Sequence, residues 1–371
     1  MSAHKTSAWP LSLVYATLVV YASLYPFAEW RDLGAWPLTF LRAPWPVYWS
    51  GFELTANVLG YGPLGFLLAL SALRTGRGRY AVLWATLGAS ILSLLLEALQ
   101  SYLPARVPSN LDWALNTLGA GLGAVLASGL EKRGAIDRWN RFRARWFIAQ
   151  SRGALVLMAL WPWALLFPAT VPLGLGQVFE RLESSLALLL KGTPFLQWLP
   201  MRDVELQPLV PLAEMSSVML GALIPCLLGF SVIPSPWRRF IYLLGVFLIA
   251  LGVTLLSAAL SYGPAHAWAW ISLPVWVGLL LAALLAVLAL RVSVRYSAAL
   301  LLFALGLDLA IINQAPSSAY FAQTLQTWEQ GRFIRFHGVA QWLGWLWPYA
   351  VLLYVLARLA DPADEAPKIK R

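Results

Sequence analysis

Apolar runs of about 17–25 residues recur from one end of this chain to the other, and each is long enough to cross a hydrocarbon layer roughly 30 Å thick. Ten are legible, at about 9–28, 52–73, 80–102, 111–130, 153–170, 209–233, 240–261, 267–290, 297–315 and 339–359. The eighth has an interfacial beginning, HAWAWISLPVW. The expected fold class is all-α: a polytopic transmembrane helix bundle of about ten spans. Composition agrees, since 60% of the 371 residues are hydrophobic and 12% are charged, against roughly 25% charged in a soluble chain. The first run follows a short basic start, His4 and Lys5. It is too long for a signal-peptide core and lacks a small-residue cleavage site, so it reads as a retained first span.

The loops test that count independently. With the N-terminus cytoplasmic, basic and non-basic connections alternate without exception. The start, RTGRGR at 74–79, the stretch 131–152, the WRR turn at 237–239, RVSVR at 291–295 and the tail share one side, with 19 of the 27 Lys and Arg. That is the positive-inside pattern, and it predicts that both termini are cytoplasmic. The net charge of +10 is therefore a statement about topology, and no nucleic-acid partner is expected. Residues 131–152, EKRGAIDRWNRFRARWFIAQSR, separate a four-span front domain, 1–130, from a six-span back domain, 153–371. This stretch reads as a basic cytoplasmic linker that sets topology. The sharper alternative is a contact for anionic lipid, with Trp139, Trp146 and Phe147 among the headgroups. On the opposite side, residues 178–192 place Phe179, Leu182, Leu186, Leu189 and Leu190 on one helix face, as expected of a helix lying in the membrane–water interface.

The front spans carry polar residues where they are costly. On a helix turning about 100° per residue, Ser93, Glu97 and Gln100 share one side of the third span's last turns. Asp112 and Asn116 form an i, i+4 stripe at the start of the fourth, which Gly119 and Gly123 continue. Glu53 and Asn57 have the same relation at the start of the second, and Arg106 lies in the turn between spans three and four. With the expected topology, all of them converge on the outer leaflet. A carboxylate at mid-bilayer costs about 2.5–3.5 kcal/mol and normally faces a bundle interior or a wet cavity. Asn57, Gln100 and Asn116 can donate to such a group, and Arg106 can balance Glu97 or Asp112. The sharp reading is a polar pocket opening outward. The bland one is helix adhesion, worth about 0.6 kcal/mol per polar contact; net charge is not needed for that, so Glu97, Arg106 and Asp112 favour a site. A re-entrant hairpin of spans three and four would change the depth of the site but not its membership.

The motifs N-x-x-x-Y-G-P-L-G at 57–65, S-x-x-x-E-x-x-Q at 93–100 and R…D-x-x-x-N-x-x-G at 106–119 occur together, in order, after Y-x-x-L-Y-P-F from Tyr21 to Phe27. In these the chain resembles the VanZ-like membrane protein family over roughly residues 11–130. The resemblance implies a bacterial cytoplasmic-membrane protein of the cell envelope, in a family linked to low-level resistance to the glycopeptide teicoplanin. It carries over to Asn57, Pro63, Gly65, Ser93, Glu97, Gln100, Arg106, Asp112, Asn116 and Gly119. The six further spans depart from the small family members.

In the back domain, Glu214 stands near the outer start of the sixth span, and Asp308, Asn313 and Gln314 lie in the ninth. The loop 317–338 adds Glu329, Arg332, Arg335 and His337. Glu214, Asp308, Arg332 and Arg335 form a candidate second polar patch; the alternative is simple pairing of an acid with an outer arginine. Chemistry with a sequence signature is not written here. The three histidines (His4, His266 and His337) lie outside the front motifs, and the single Cys226 cannot form an intrachain disulfide. No Walker A, H-E-x-x-H, G-x-S-x-G or zinc spacing occurs. Glu53, Glu97 and Asp112 offer oxygen ligands for Mg²⁺, but with no phosphate loop or D-x-D pair beside them neither metal nor cofactor is expected. The leading functional expectation is a protein that binds or moves an envelope lipid or glycolipid headgroup, using Asn57, Ser93, Glu97, Gln100, Arg106, Asp112 and Asn116. The rivals are a membrane transferase or hydrolase working through Glu97 and Asp112, and a scaffold whose polar residues only hold helices together. The partners expected in every case are membrane lipids.

Overall fold

A computed structural model describes residues 8–25, 27, 29–32, 34, 36–46, 51–76, 78–104, 106–167, 169–199, 209–262, 267–315 and 334–360, without the side chains of 52, 53, 136, 262 and 334–339. Among these residues every regular element is a helix. The α-helices are α1 (Ala8–Leu24), α2 (Gly51–Arg74), α3 (Ala81–Gln100), α4 (Asn110–Lys132), α5 (Ala135–Trp146) and α6 (Arg152–Leu165). They continue with α7 (Phe179–Leu190), α8 (Pro211–Phe230), α9 (Pro236–Tyr262), α10 (Leu273–Ala289), α11 (Val294–Ile312) and α12 (Ile334–Leu359).

Each expected span coincides with one of these helices. Seven of them (α2, α3, α4, α8, α9, α11 and α12) are long and apolar enough to cross a membrane, and α1, α6 and α10 are shorter apolar helices. The sequence extends the fifth span to residue 170, yet α6 stops at Leu165. Pro168 lies three residues beyond, and proline disfavours helical geometry in the residue before it. The interfacial helix expected at 178–192 is α7, of which no residue is buried.

The distribution of side chains inverts that of a water-soluble bundle. Ala69, Ala89, Ala120, Ala124 and Ala127 are fully enclosed, whereas Leu59, Trp84, Ile91 and Leu95 are more than half exposed. Small residues inside and large apolar ones outside is how helices pack when the surroundings are as apolar as leucine.

The chain divides into two compact units, Met1–Phe142 and Arg143–Arg371, with the division inside the basic stretch. In the first unit, α2 and α4 make the most extensive contact. A Cβ on Gly65 would run into the Ala120 backbone, one on Gly119 into Val58, and one on Gly123 into the Gly62 carbonyl. The Gly119/Gly123 stripe is thus the face on which α2 and α4 meet backbone to backbone. Ser109 caps α4, its Oγ accepting from the Asp112 N–H at 3.4 Å.

In the second unit, buried polar groups close helix ends. Arg239, 1% exposed, donates to the carbonyls of Phe230 (2.7 Å), Ile233 (2.6 Å), Leu290 (3.1 Å) and Val292. It therefore ties the C-terminus of α8 to that of α10, where unpaired carbonyls and the helix dipole favour a cation.

Candidate functional site

The front unit brings the sequence-predicted residues to one end of its bundle, where α1 and α3 finish and α2 and α4 begin. Asn57 Nδ2 on α2 donates to Asp112 Oδ1 on α4 at 2.5 Å. Asn116 Nδ2, one turn further along α4, donates to Ser93 Oγ on α3 at 3.0 Å. Glu97 Oε2 on α3 accepts from the Ser109 N–H at 2.9 Å. Ser109 therefore links the two acids, giving its amide to Glu97 and taking the Asp112 amide at its hydroxyl. Ser93, Glu97, Gln100 and Asn116 are buried, and Asn57, Arg106 and Asp112 are half-buried.

Helix termini explain the charges. Glu97 and Asp112 both stand at the N-terminal end of α4, where exposed N–H groups and the dipole favour anions. At the C-terminal end of α1 the polarity is opposite. There Gln100 Nε2 donates to the Ser23 carbonyl at 3.0 Å, and the Arg106 guanidinium donates to those of Tyr25 at 2.8 Å and Ala22 at 3.5 Å. Arg106, expected to balance a carboxylate, also fastens the end of α1 through these bonds.

Two participants were missing from the sequence-derived set. Tyr61, 6% exposed, is a hydrogen-bond partner of Ser93. Its signal was present: it follows Asn57 at i+4 and precedes Gly65 at i+8, on the stripe that meets α4. Ser109 could have been found as the cap residue before the α4 periodicity. Not everything polar is satisfied. Asn116 is 5% exposed, and its Oδ1 is buried without a hydrogen-bond partner. In either orientation of this amide one half is unmet, acceptor or donor.

Of the second expected patch, the described members Asp308 and Glu214 each meet a serine in a contact made at α8. Asp308, 2% exposed, accepts from Ser217 Oγ at 3.0 Å, and Glu214 accepts from Ser272 Oγ at 3.2 Å. Arg332, Glu329 and His266 lie outside the described residues, as do the side chains of Arg335, His337 and Glu53. Asn313 does something unforeseen: its Oδ1 accepts from the N–H groups of Val178 and Phe179 at 3.0 and 3.1 Å, capping α7 from α11. No group of three or more His, Cys, Asp or Glu stands ready to hold a metal among the described residues.

Residues 4–131 match the VanZ/LLP1 family model. The chain thus carries an N-terminal VanZ-like domain that ends where α4 ends, and with its apolar helices it is a multi-pass membrane protein. No curated protein and no solved structure matches the chain.

Proposed function

We propose that the VanZ-like domain binds, or passes across the bilayer, the polar headgroup of an envelope lipid or glycolipid at the non-cytoplasmic face of the bacterial inner membrane. The observation that carries this is the gathering of Asn57, Ser93, Glu97, Asp112 and Asn116 at one bundle end, with Asn116 Oδ1 buried and without a hydrogen-bond partner. An unsatisfied polar group in low-dielectric surroundings costs about 1–3 kcal/mol. A sugar or glycerol hydroxyl supplies both the donor and the acceptor that would relieve it. Asp112 and Glu97 would take hydroxyl or amine donors of the same headgroup, and half-buried Asn57 and Asp112 form the approach. The alternation of basic loops supports an outward position for this end, and altered handling of an envelope lipid would reach glycopeptide susceptibility, including to teicoplanin.

A second reading, a scaffold, is favoured by one specific pattern: Gln100 and Arg106 direct their described bonds at the carbonyls of α1. The two readings separate in native mass spectrometry of the purified chain, as wild type, Glu97→Gln and Asn116→Ala. Glu97→Gln keeps an acceptor for the Ser109 N–H and removes only charge. A headgroup-specific lipid held by the wild type and lost from both folded variants supports the site. The same lipid retained at the same level by all three would leave the scaffold as the role of these residues.

A further inference from the structure

We propose that the turn after α4 and the first half of α5 form a surface that binds anionic phospholipid at the opposite end of the front bundle. Two features place it there. α4 closes at Gly134, where φ is +66° and the N–H groups of Arg133 and Gly134 return to Gly129 and Glu131 at 3.1 and 2.9 Å, so α5 sets off on a new axis. Arg74, the last residue of α2, reaches Glu131 at 3.4 Å and Asp137 in the first turn of α5 at 3.5 Å. The start of α5 is thus held beside the ends of α2 and α4, where two apolar helices leave the hydrocarbon.

The chemistry of the segment fits an acidic surface. Arg74 takes up its two carboxylates. The remaining charged residues as far as Phe142 are Lys132, Arg133, Arg138 and Arg141, all exposed. Arg138 donates to the Arg133 carbonyl at 3.0 Å, which keeps those two neighbours together. Trp139 and Phe142 stack at 5.5 Å and stay 52% and 40% exposed. On a helix they lie about 160° from Asp137 in the case of Trp139, away from the Arg74 contact. An exposed aromatic pair beside arginines is poorly placed in water. It is well placed in the headgroup layer, where rings settle between phosphate and acyl chain and guanidinium grips phosphate oxygens in pairs. The occupant is a phospholipid of net negative charge, held by charge and ring rather than by a headgroup-shaped pocket.

The proposal does not depend on the Glu97 site, and its test leaves that site untouched. The full chain is equilibrated with equal amounts of phosphatidylglycerol and phosphatidylcholine, and retained lipid is counted by native mass spectrometry. The wild type should hold phosphatidylglycerol about a hundredfold over phosphatidylcholine, the product of three arginine steps of about fivefold each. Each arginine removed in Arg133→Gln/Arg138→Gln/Arg141→Gln should lower that preference about fivefold. The corresponding triple Lys variant should keep it, and Arg141→Gln alone, at an exposed side chain, should show the single step. Equal retention of the two lipids by the wild type overturns the proposal. An undiminished preference in the Gln variants also overturns it, because the lipid would then belong to other basic loops or the surface to a soluble acidic partner.

Discussion

The two units spend their buried polar groups differently. In the back unit they go mainly to backbone: Arg239 closes carbonyls at the ends of α8 and α10, Arg358 reaches Ser231, Trp347 reaches Leu157, and Asn313 caps α7. In the front unit side chains meet side chains across helices at one bundle end, Asn57 with Asp112 and Asn116 with Ser93. Among the described residues, buried atoms without a hydrogen-bond partner occur in both units, Asn116 Oδ1 in the front and Trp161 Nε1 and Ser297 Oγ among those in the back. A group whose donors all go to helix-end carbonyls, as those of Arg239 do, cannot leave them without opening those ends. Side chains bonded to one another can exchange a partner for a ligand without opening a helix end. The contrast separates polar residues that hold a membrane fold from polar residues available for recognition.

Changes at the α2–α4 seam should have the largest effect. Gly123→Ala places a methyl against the Gly62 carbonyl, which is backbone and cannot rotate away. A loss of about 3 kcal/mol or more is expected, seen as a lower thermal midpoint and poor recovery of monodisperse protein. Gly88→Ala, with open space around it, is the control and should be neutral. Arg239→Ala should come next, losing about 2–3 kcal/mol of back-unit stability as several carbonyls lose their donor. Arg239→Lys should recover only part, since an ammonium cannot span the same acceptors. If Arg239→Ala were silent, the claim that back-unit polar groups hold the fold would break. Asn57→Ala should cost the front unit about 1 kcal/mol in thermal unfolding, the net value of one hydrogen bond, while reducing lipid retention strongly. Glu97→Gln should be smallest in stability, within about 1 kcal/mol, because the Ser109 N–H keeps its acceptor.

Much of this was legible in the sequence, and what was missed has a common cause. Length and hydropathy located the spanning helices, and the amphipathic pattern located α7 to within a residue or two. The i, i+4 stripes grouped Asn57, Ser93, Glu97, Asp112 and Asn116, whose bonds lie at one bundle end. Roles that depend on a backbone carbonyl were not visible, because carbonyls are everywhere and leave no mark in the residue letters. Arg239 therefore read as a topology-setting charge, Asn313 as part of a polar patch, and Arg106 as a counter-ion. The basic stretch 131–152 read as a linker, yet it holds the twelve-residue helix α5, whose start is fixed by a glycine turn and one arginine from a distant helix.

The most direct test is a paired thermal-unfolding measurement of wild type and Glu97→Gln, each with and without a total envelope-lipid extract. The account predicts nearly equal midpoints without lipid, and a lipid-induced rise for the wild type that Glu97→Gln loses. An equal rise for both proteins would contradict it.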